Sequence, residues 1–303
     1  MPGTNREPAP FLPEMGGEQR LRLISPAGPV LNEKAFSDGC GILRAAGIKI
    51  EEGERRGGDY LAGSDDERLA ELYQAAAADG PGTILADRGG YGSQRLLPKL
   101  DPAVFTTRPK RFCGSSDISI LLNFIAKHTG LITFHTPMPI NLARVDDESR
   151  ARTISLIKGE LPATPPPLVP YRAGVAAGRL FGGNFTVLCH LLATPYAIDF
   201  SGAILFIEDI NEPLYRIDRI FQQLKQARAL AGVRAILLGD FIANNEIIDP
   251  EKIAALAASA VEDGCPIFTG LACGHGRQNL PLPVGCECGI DAKGRLAFHY
   301  PRN

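Results

Sequence analysis

Apolar positions along this chain fall into short dense runs, each closed by glycine or small polar residues. Residues 21–25 read as a strand, followed by the loop Pro26-Ala27-Gly28-Pro29. Residues 36–46 have helical spacing and stop at Gly47. Residues 48–51 form a second candidate strand. Ser64-Asp65-Asp66-Glu67 is a capping box, and Leu69, Leu72 and Tyr73 continue an amphipathic helix. Residues 83–86 predict a buried strand running into Asp87-Arg88-Gly89-Gly90-Tyr91-Gly92. Residues 111–113 predict another, running into Gly114-Ser115-Ser116-Asp117, and Ile118, Leu121, Leu122 and Ile125 then repeat at helical spacing. Residues 131–134 complete the series. Strands alternating with helices predict a parallel sheet covered on both faces. Ligands of such sheets bind beyond the carboxyl ends of the strands. Loops 26–29, 87–92 and 114–117 all fall there.

The pattern changes after His135-Thr136-Pro137. Residues 141–152 are charged, and residues 161–170 contain five prolines, which suits an extended crossing. A second alternation follows. Residues 175–181 predict a strand, Gly182-Gly183-Asn184 a junction, and residues 185–192 an apolar helix. Residues 202–207 predict a strand ending in Glu208-Asp209, followed by a helix with Ile217, Ile220, Phe221 and Leu224 on one face. Further strands are expected at 235–238 and 266–269, with Asp249-Pro250 opening the helix between them. Residues 282–300 predict strands joined by a turn at 291–294. The expected class is α/β: an N-terminal open, mostly parallel sheet with helices on both faces, plus a second α/β domain. The expected divisions are a disordered tail at 1–20, an N-terminal domain at 21–145, a linker at 146–172 and a C-terminal domain at 173–303.

Composition narrows the function classes. The chain has 303 residues, 45% hydrophobic and 22% charged, as in a soluble globular protein. A net charge of −2 gives no general pull toward nucleic acid or an anionic membrane. The first 20 residues are rich in Pro, Gly and Glu and lack the order of a signal peptide, so a cytoplasmic location is expected. Seven cysteines in mostly apolar surroundings read as buried free thiols.

Candidate chemistry sits in the strand-end loops. Ser115, Ser116 and Asp117 stand at a strand–helix junction, where free N–H groups favour an oxyanion. They are a nucleophile seat or simply a helix cap. The 87–92 loop lacks the dinucleotide and P-loop fingerprints, but its glycines offer N–H groups and Arg88 a grip on a carboxylate. His275 lies between Gly274 and Gly276, which leave room for another group to approach. His135 follows a strand end and is a candidate for the ligand edge. His190 reads as core. Glu208, just past a buried strand, can orient a histidine or serve in a salt bridge. No ligand spacing for a metal occurs, so neither metal nor cofactor is expected.

Together these runs resemble the LD-carboxypeptidase family, the S66 serine peptidases, which include a branch acting on microcin C. The matching runs are 24–28, 88–93, 114–118, 135–138, 182–184, 206–209, 215–219, and 274–276 with 279–285. The resemblance implies a Ser-His-Glu triad of Ser116, His275 and Glu208, with an oxyanion hole from the N–H groups of Gly90 and Asp117. The site would form between the two domains. Arg88, Tyr91 and His135 are the substrate-binding candidates. The implied substrate is a murein tetrapeptide or muropeptide losing its terminal D-alanine, and the alternative is an aminoacyl or peptidyl nucleotide conjugate. An idle binding module on the same scaffold is a third possibility, disfavoured by the three intact residues. Ser115 stands where the family commonly has Tyr or Phe, and Thr136 where Gly is common. The expected partners are that peptide substrate and a second copy of the chain in a homodimer, without nucleic acid or membrane.

Overall fold

The computed structural model describes residues 8–14, 20–54, 57–80 and 82–301. The first half runs β1 (Arg20–Ile24), α1 (Glu33–Ala45), β2 (Lys49–Glu52), α2 (Asp65–Ala77), β3 (Gly82–Ala86), α3 (Ser93–Leu96), α4 (Val104–Thr107), β4 (Arg111–Gly114), α5 (Ser119–Thr129) and β5 (Thr133–His135). Next come α6 (Pro139–Leu142) and α7 (Asp147–Ile157). The second half runs β6 (Val169–Arg172), β7 (Ala176–Asn184), α8 (Phe185–Cys189), β8 (Ile204–Ile210), α9 (Leu214–Gln226), β9 (Ala235–Ala243), β10 (Glu246–Ile247), α10 (Pro250–Ala260), β11 (Ile267–Thr269), β12 (Leu282–Val284), β13 (Glu287–Ile290) and β14 (Leu296–His299).

The first sheet has the order β12-β5-β4-β3-β1-β2. Its strands are parallel except β12, which runs antiparallel to β5. The second has the order β14-β13-β7-β8-β9-β11-β6, with β7, β8, β9 and β11 parallel. Runs such as Leu21–Ile24 and Ile204–Ile207 are apolar throughout because both faces of a parallel sheet are covered. All seven cysteines are free and buried. No helix among the described residues is long and apolar enough to cross a membrane.

Three boundaries differ from the sequence expectation. Of the expected disordered tail, residues 8–14 are placed against the domain, while 1–7 and 15–19 lie outside the described residues. Phe11 donates its N–H to Gly130 O and accepts from Ile132 N, both at 2.9 Å. Phe11 and Leu12 pack on the core, apolar surface that a solvated tail would leave in water. The expected linker is an extended crossing only at 158–168. Asp146 caps α7 by accepting from Ser149 N at 2.8 Å, and residues 169–172 form the edge strand β6. Finally, β12 leaves the second half to complete the first sheet.

The halves are joined beside the β4–α5 junction. Asn123 of α5 donates to Gly182 O at 2.7 Å and accepts from Gly182 N at 3.0 Å. Ser119 Oγ accepts from Asn184 N at 3.1 Å. Gly183 has φ +135°, and a Cβ there would lie 2.2 Å from Ser119 Oγ. The Gly-Gly-Asn run therefore builds the interface. Gly183→Ala is expected to destabilise the protein by about 3 kcal/mol through strain and overpacking. Gly202, at φ +76° with nothing within 4 Å, isolates the strain alone. Comparable shifts in urea midpoint for Gly183→Ala and Gly202→Ala would refute the steric account.

Candidate active site

The three strand-end loops of the first sheet are tied to one another. Gly28 N donates to Gly89 O at 3.0 Å, joining the β1 and β3 loops. Ser25 Oγ donates to Asp87 Oδ2 at 2.6 Å. Arg68 of α2, fully buried, donates to Pro26 O at 2.6 Å and Gly92 O at 2.9 Å. Ser93 N donates to Asp117 Oδ2 at 2.8 Å, joining the β3 loop to the β4 loop. A buried cation in the first turn of α2 is stable there because it pairs with Asp65 and satisfies loop carbonyls that burial would otherwise leave unpaired.

At the junction, residues 116–118 form one 3-10 turn before α5. Ser115 makes no side-chain cap, and the Asp117 carboxylate is taken by Ser93, so capping does not explain this stretch. Ser115 is 3% exposed and points away from solvent. Ser116 is half-buried, lines a cleft and holds φ +60°, a left-handed conformation uncommon for non-glycine residues; Ala193, Asn211, Arg228, Asn244 and Asn245 share it, and of the six only Ser116 and Asn245 line this cleft. Gly89 lies against it: a Cβ at Gly89 would be 3.0 Å from Ser116 Oγ and 3.2 Å from Asp117 N. The N–H groups of Gly90 and Asp117 donate no hydrogen bond to another described residue.

From the second half, β8 delivers Glu208 and the loop after β11 delivers His275. The register of β8 on β9 shifts between Ile207 and Asp209, so Gly239 and Asp240 together face Glu208. Such a bulge re-aims side chains. Glu208 is fully buried, and its Oε2 accepts from His275 Nδ1 at 2.7 Å. That bond leaves Nε2 as the free ring nitrogen. The His275 side chain is 19% exposed. Gly276 gives Asp240 room, because a Cβ there would lie 2.1 Å from Asp240 Oδ2.

Burial disfavours a charged His275, but Glu208, by charge and hydrogen bond, and then Asp209 and Asp240 raise its pKa above 6.5. Burial pushes Glu208 up as well, and His275 more than reverses this, so its pKa is lowered. Asp209 and Asp240 are raised to about 6, first by burial and then by the Glu208 charge.

Ser116 and His275 line the same cleft, of about 840 Å³, without being hydrogen-bonded to each other. Arg88 lines it too, its guanidinium donating to Pro29 O at 2.8 Å. Two substrate-binding candidates lie elsewhere. His135 is fully buried, its Nδ1 3.4 Å from Cys273 Sγ and its ring edge-on to Phe206. Burial pushes its pKa down to about 4, so it is neutral and faces no ligand. Tyr91 is 46% exposed and packs on Tyr60, ring centroids 6.0 Å apart, outside the cleft lining. His190, expected in the core, is exposed at the end of α8. Arg144 and Arg277 line the cleft and carry no periodic signal in the sequence.

A strained serine at a strand–helix turn, facing a cleft shared with a histidine–carboxylate pair, is the layout of a serine hydrolase. Comparison with known proteins gives the particular kind. Residues 21–136 match the model of the LD-carboxypeptidase N-terminal domain and residues 177–290 that of the C-terminal domain, so the chain belongs to the LD-carboxypeptidase family of serine carboxypeptidases. It is 34% identical over 289 residues to the murein tetrapeptide carboxypeptidase of Pseudomonas aeruginosa, covering 88% of this chain and 91% of that one. The crystal structure of muramoyltetrapeptide carboxypeptidase from Oxalobacter formigenes superposes with a TM-score of 0.81 at 27% identity, over 94% of this chain and 100% of that one. The structure of MccF in complex with glutamyl sulfamoyl guanosine gives 0.83 at 24% identity, over 97% and 99%, a likeness of fold.

Proposed function

We propose that this protein is an LD-carboxypeptidase that removes the terminal D-alanine from murein tetrapeptides, with Ser116 as nucleophile, His275 as base and Glu208 as its orienting acid. The observation that carries the reading is the 2.7 Å Glu208–His275 pair sharing one cleft with Ser116 at φ +60°. His275 Nε2 takes the Ser116 proton as Oγ attacks the scissile carbonyl. The Gly90 and Asp117 N–H groups, which have no partner among the described residues, receive the tetrahedral oxyanion. Glu208 fixes the tautomer and stabilises the imidazolium. His275 then protonates the leaving amine, the C–N bond breaks, and water, activated by the same base, releases the acyl group. Arg88 grips the terminal carboxylate of the leaving residue. The Ser116–His275 hydrogen bond is expected to form in the substrate complex, where catalytic bonds tighten. A cytoplasmic enzyme of this kind would recycle imported wall fragments.

Purified protein given a tetrapeptide muropeptide is expected to release free D-alanine, with no change on adding EDTA. Cleavage of an aminoacyl sulfamoyl adenosine without D-alanine release would replace this reading with a microcin-type peptidase. No turnover of either would point to a binding module.

A further inference from the structure

We infer that Arg144 and Arg277 form a second anion subsite, which binds an acidic group on the acyl half of the peptide. The inference rests on the carboxypeptidase reading only for what the ligand is. Among the described residues the cleft is lined by three arginines, Arg88, Arg144 and Arg277, and by no aspartate or glutamate, although the whole chain carries a net charge of −2. A cleft of one sign selects ligands of the other. A carboxypeptidase releases a single residue, so the leaving half brings one main-chain carboxylate, which one guanidinium fork satisfies. Arg88 stands two residues from Gly90 on the loop that packs against Ser116, and it serves that carboxylate. The other two cations need anions, and these come from the acyl half.

Arg144 and Arg277 are placed to act together. Arg144 follows α6, is exposed, and makes no ion pair with any described residue. Arg277 is exposed two residues beyond His275. Asp146 N donates to Arg277 O at 2.8 Å, so the loops carrying the two arginines are pinned to each other. Asn279 N donates to Ser149 Oγ at 2.9 Å, fixing the far side of the His275 loop on α7. Asp146 is an acid that feels the Arg277 charge. Its carboxylate is occupied in capping α7, where hydrogen bonds from Ser149, then one from Gln278 and last the Arg277 charge hold it below the usual range. Neither guanidinium is ion-paired to a described residue, and none of the described residues lining the cleft is an acid, so the spot between them is positive and solvent-accessible.

The test uses the full chain carrying Ser116→Ala, so that substrate persists. Its affinity is measured by calorimetry for the tetrapeptide L-Ala-γ-D-Glu-meso-diaminopimelate-D-Ala and for two analogues, each with one acyl-side carboxylate converted to its amide. One of the two amidations is expected to weaken binding about tenfold. That penalty is expected to vanish when Arg144→Gln or Arg277→Gln is added, the amidated peptide binding all variants alike. Equal affinity for all three peptides, absence of binding, or a penalty that survives both arginine substitutions would overturn the subsite. D-alanine release by the wild-type protein is followed in parallel. No release alongside an intact amidation penalty would sink the peptidase reading and leave the subsite standing.

Discussion

Replacing Ser116 with alanine is expected to lower kcat about a million-fold, the scale of losing the nucleophile of a serine-protease triad. Ser115→Ala is expected to keep most of the activity. The two hydroxyls are neighbours in sequence and opposites in setting. Ser115 is extended backbone at φ −153°, buried, with its side chain turned into the protein. Ser116 turns left-handed at φ +60° and lines the cleft that holds His275. Its replacement removes only an oxygen, so the variant should still fold, and unchanged thermal unfolding beside lost D-alanine release would separate chemistry from stability. Equal loss from both serines would defeat the assignment.

Glu208→Gln is expected to cost about ten-thousand-fold, and to move the pH profile of whatever activity remains. The amide keeps the shape but can donate toward His275 Nδ1. That favours the tautomer with its proton on Nε2, the nitrogen that must accept from Ser116. In the wild type, His275 works as a base only when neutral. Burial lowers its pKa, but Glu208, Asp209 and Asp240 lift it above 6.5. Activity should therefore fall as pH drops through a midpoint above 6.5. Without the Glu208 charge, burial has one main opponent fewer, and the acid limb should move to lower pH. A wild-type kcat/KM profile with its acid limb unmoved by the substitution would mean that a different group titrates.

Much of the fold was legible because parallel strands advertise themselves. Leu21–Ile24, Ile204–Ile207 and their neighbours are apolar on both faces, and the loops after them carry glycine, serine and acid where ligands bind. The capping box at Ser64 was legible for the same local reason, and Glu67 N does donate to Ser64 Oγ at 3.3 Å. What stayed hidden depends on partners distant in sequence. Nothing in the helix pattern marks Arg68, yet it is fully buried, where Asp65 pairs with it and two remote loops take its donors. His135 sits at a strand end as expected, but Cys273 and Phe206 from the second half close over it. Sequence ended the 235–238 strand early. The chain continues through Gly239 and Asp240 as a bulge, a geometry with no apolar signature. Gly182-Gly183-Asn184 was visible as a motif, whereas its role of receiving α5 becomes visible only once Ser119 and Asn123 are in place.

The antiparallel strand β12 has a consequence for how the protein is made. Residues 20–135 supply five of the six strands of the first sheet, including the turn that carries Ser116. The outer edge of β5 is covered by Leu282–Val284, far along the chain from β5. On the ribosome that edge stays open until residues 282–284 have emerged, a long interval for an unpaired strand. The nascent first half is the segment most in need of a chaperone. A protein truncated before residue 282 would carry every residue of the nucleophile turn and still tend to aggregate through that edge.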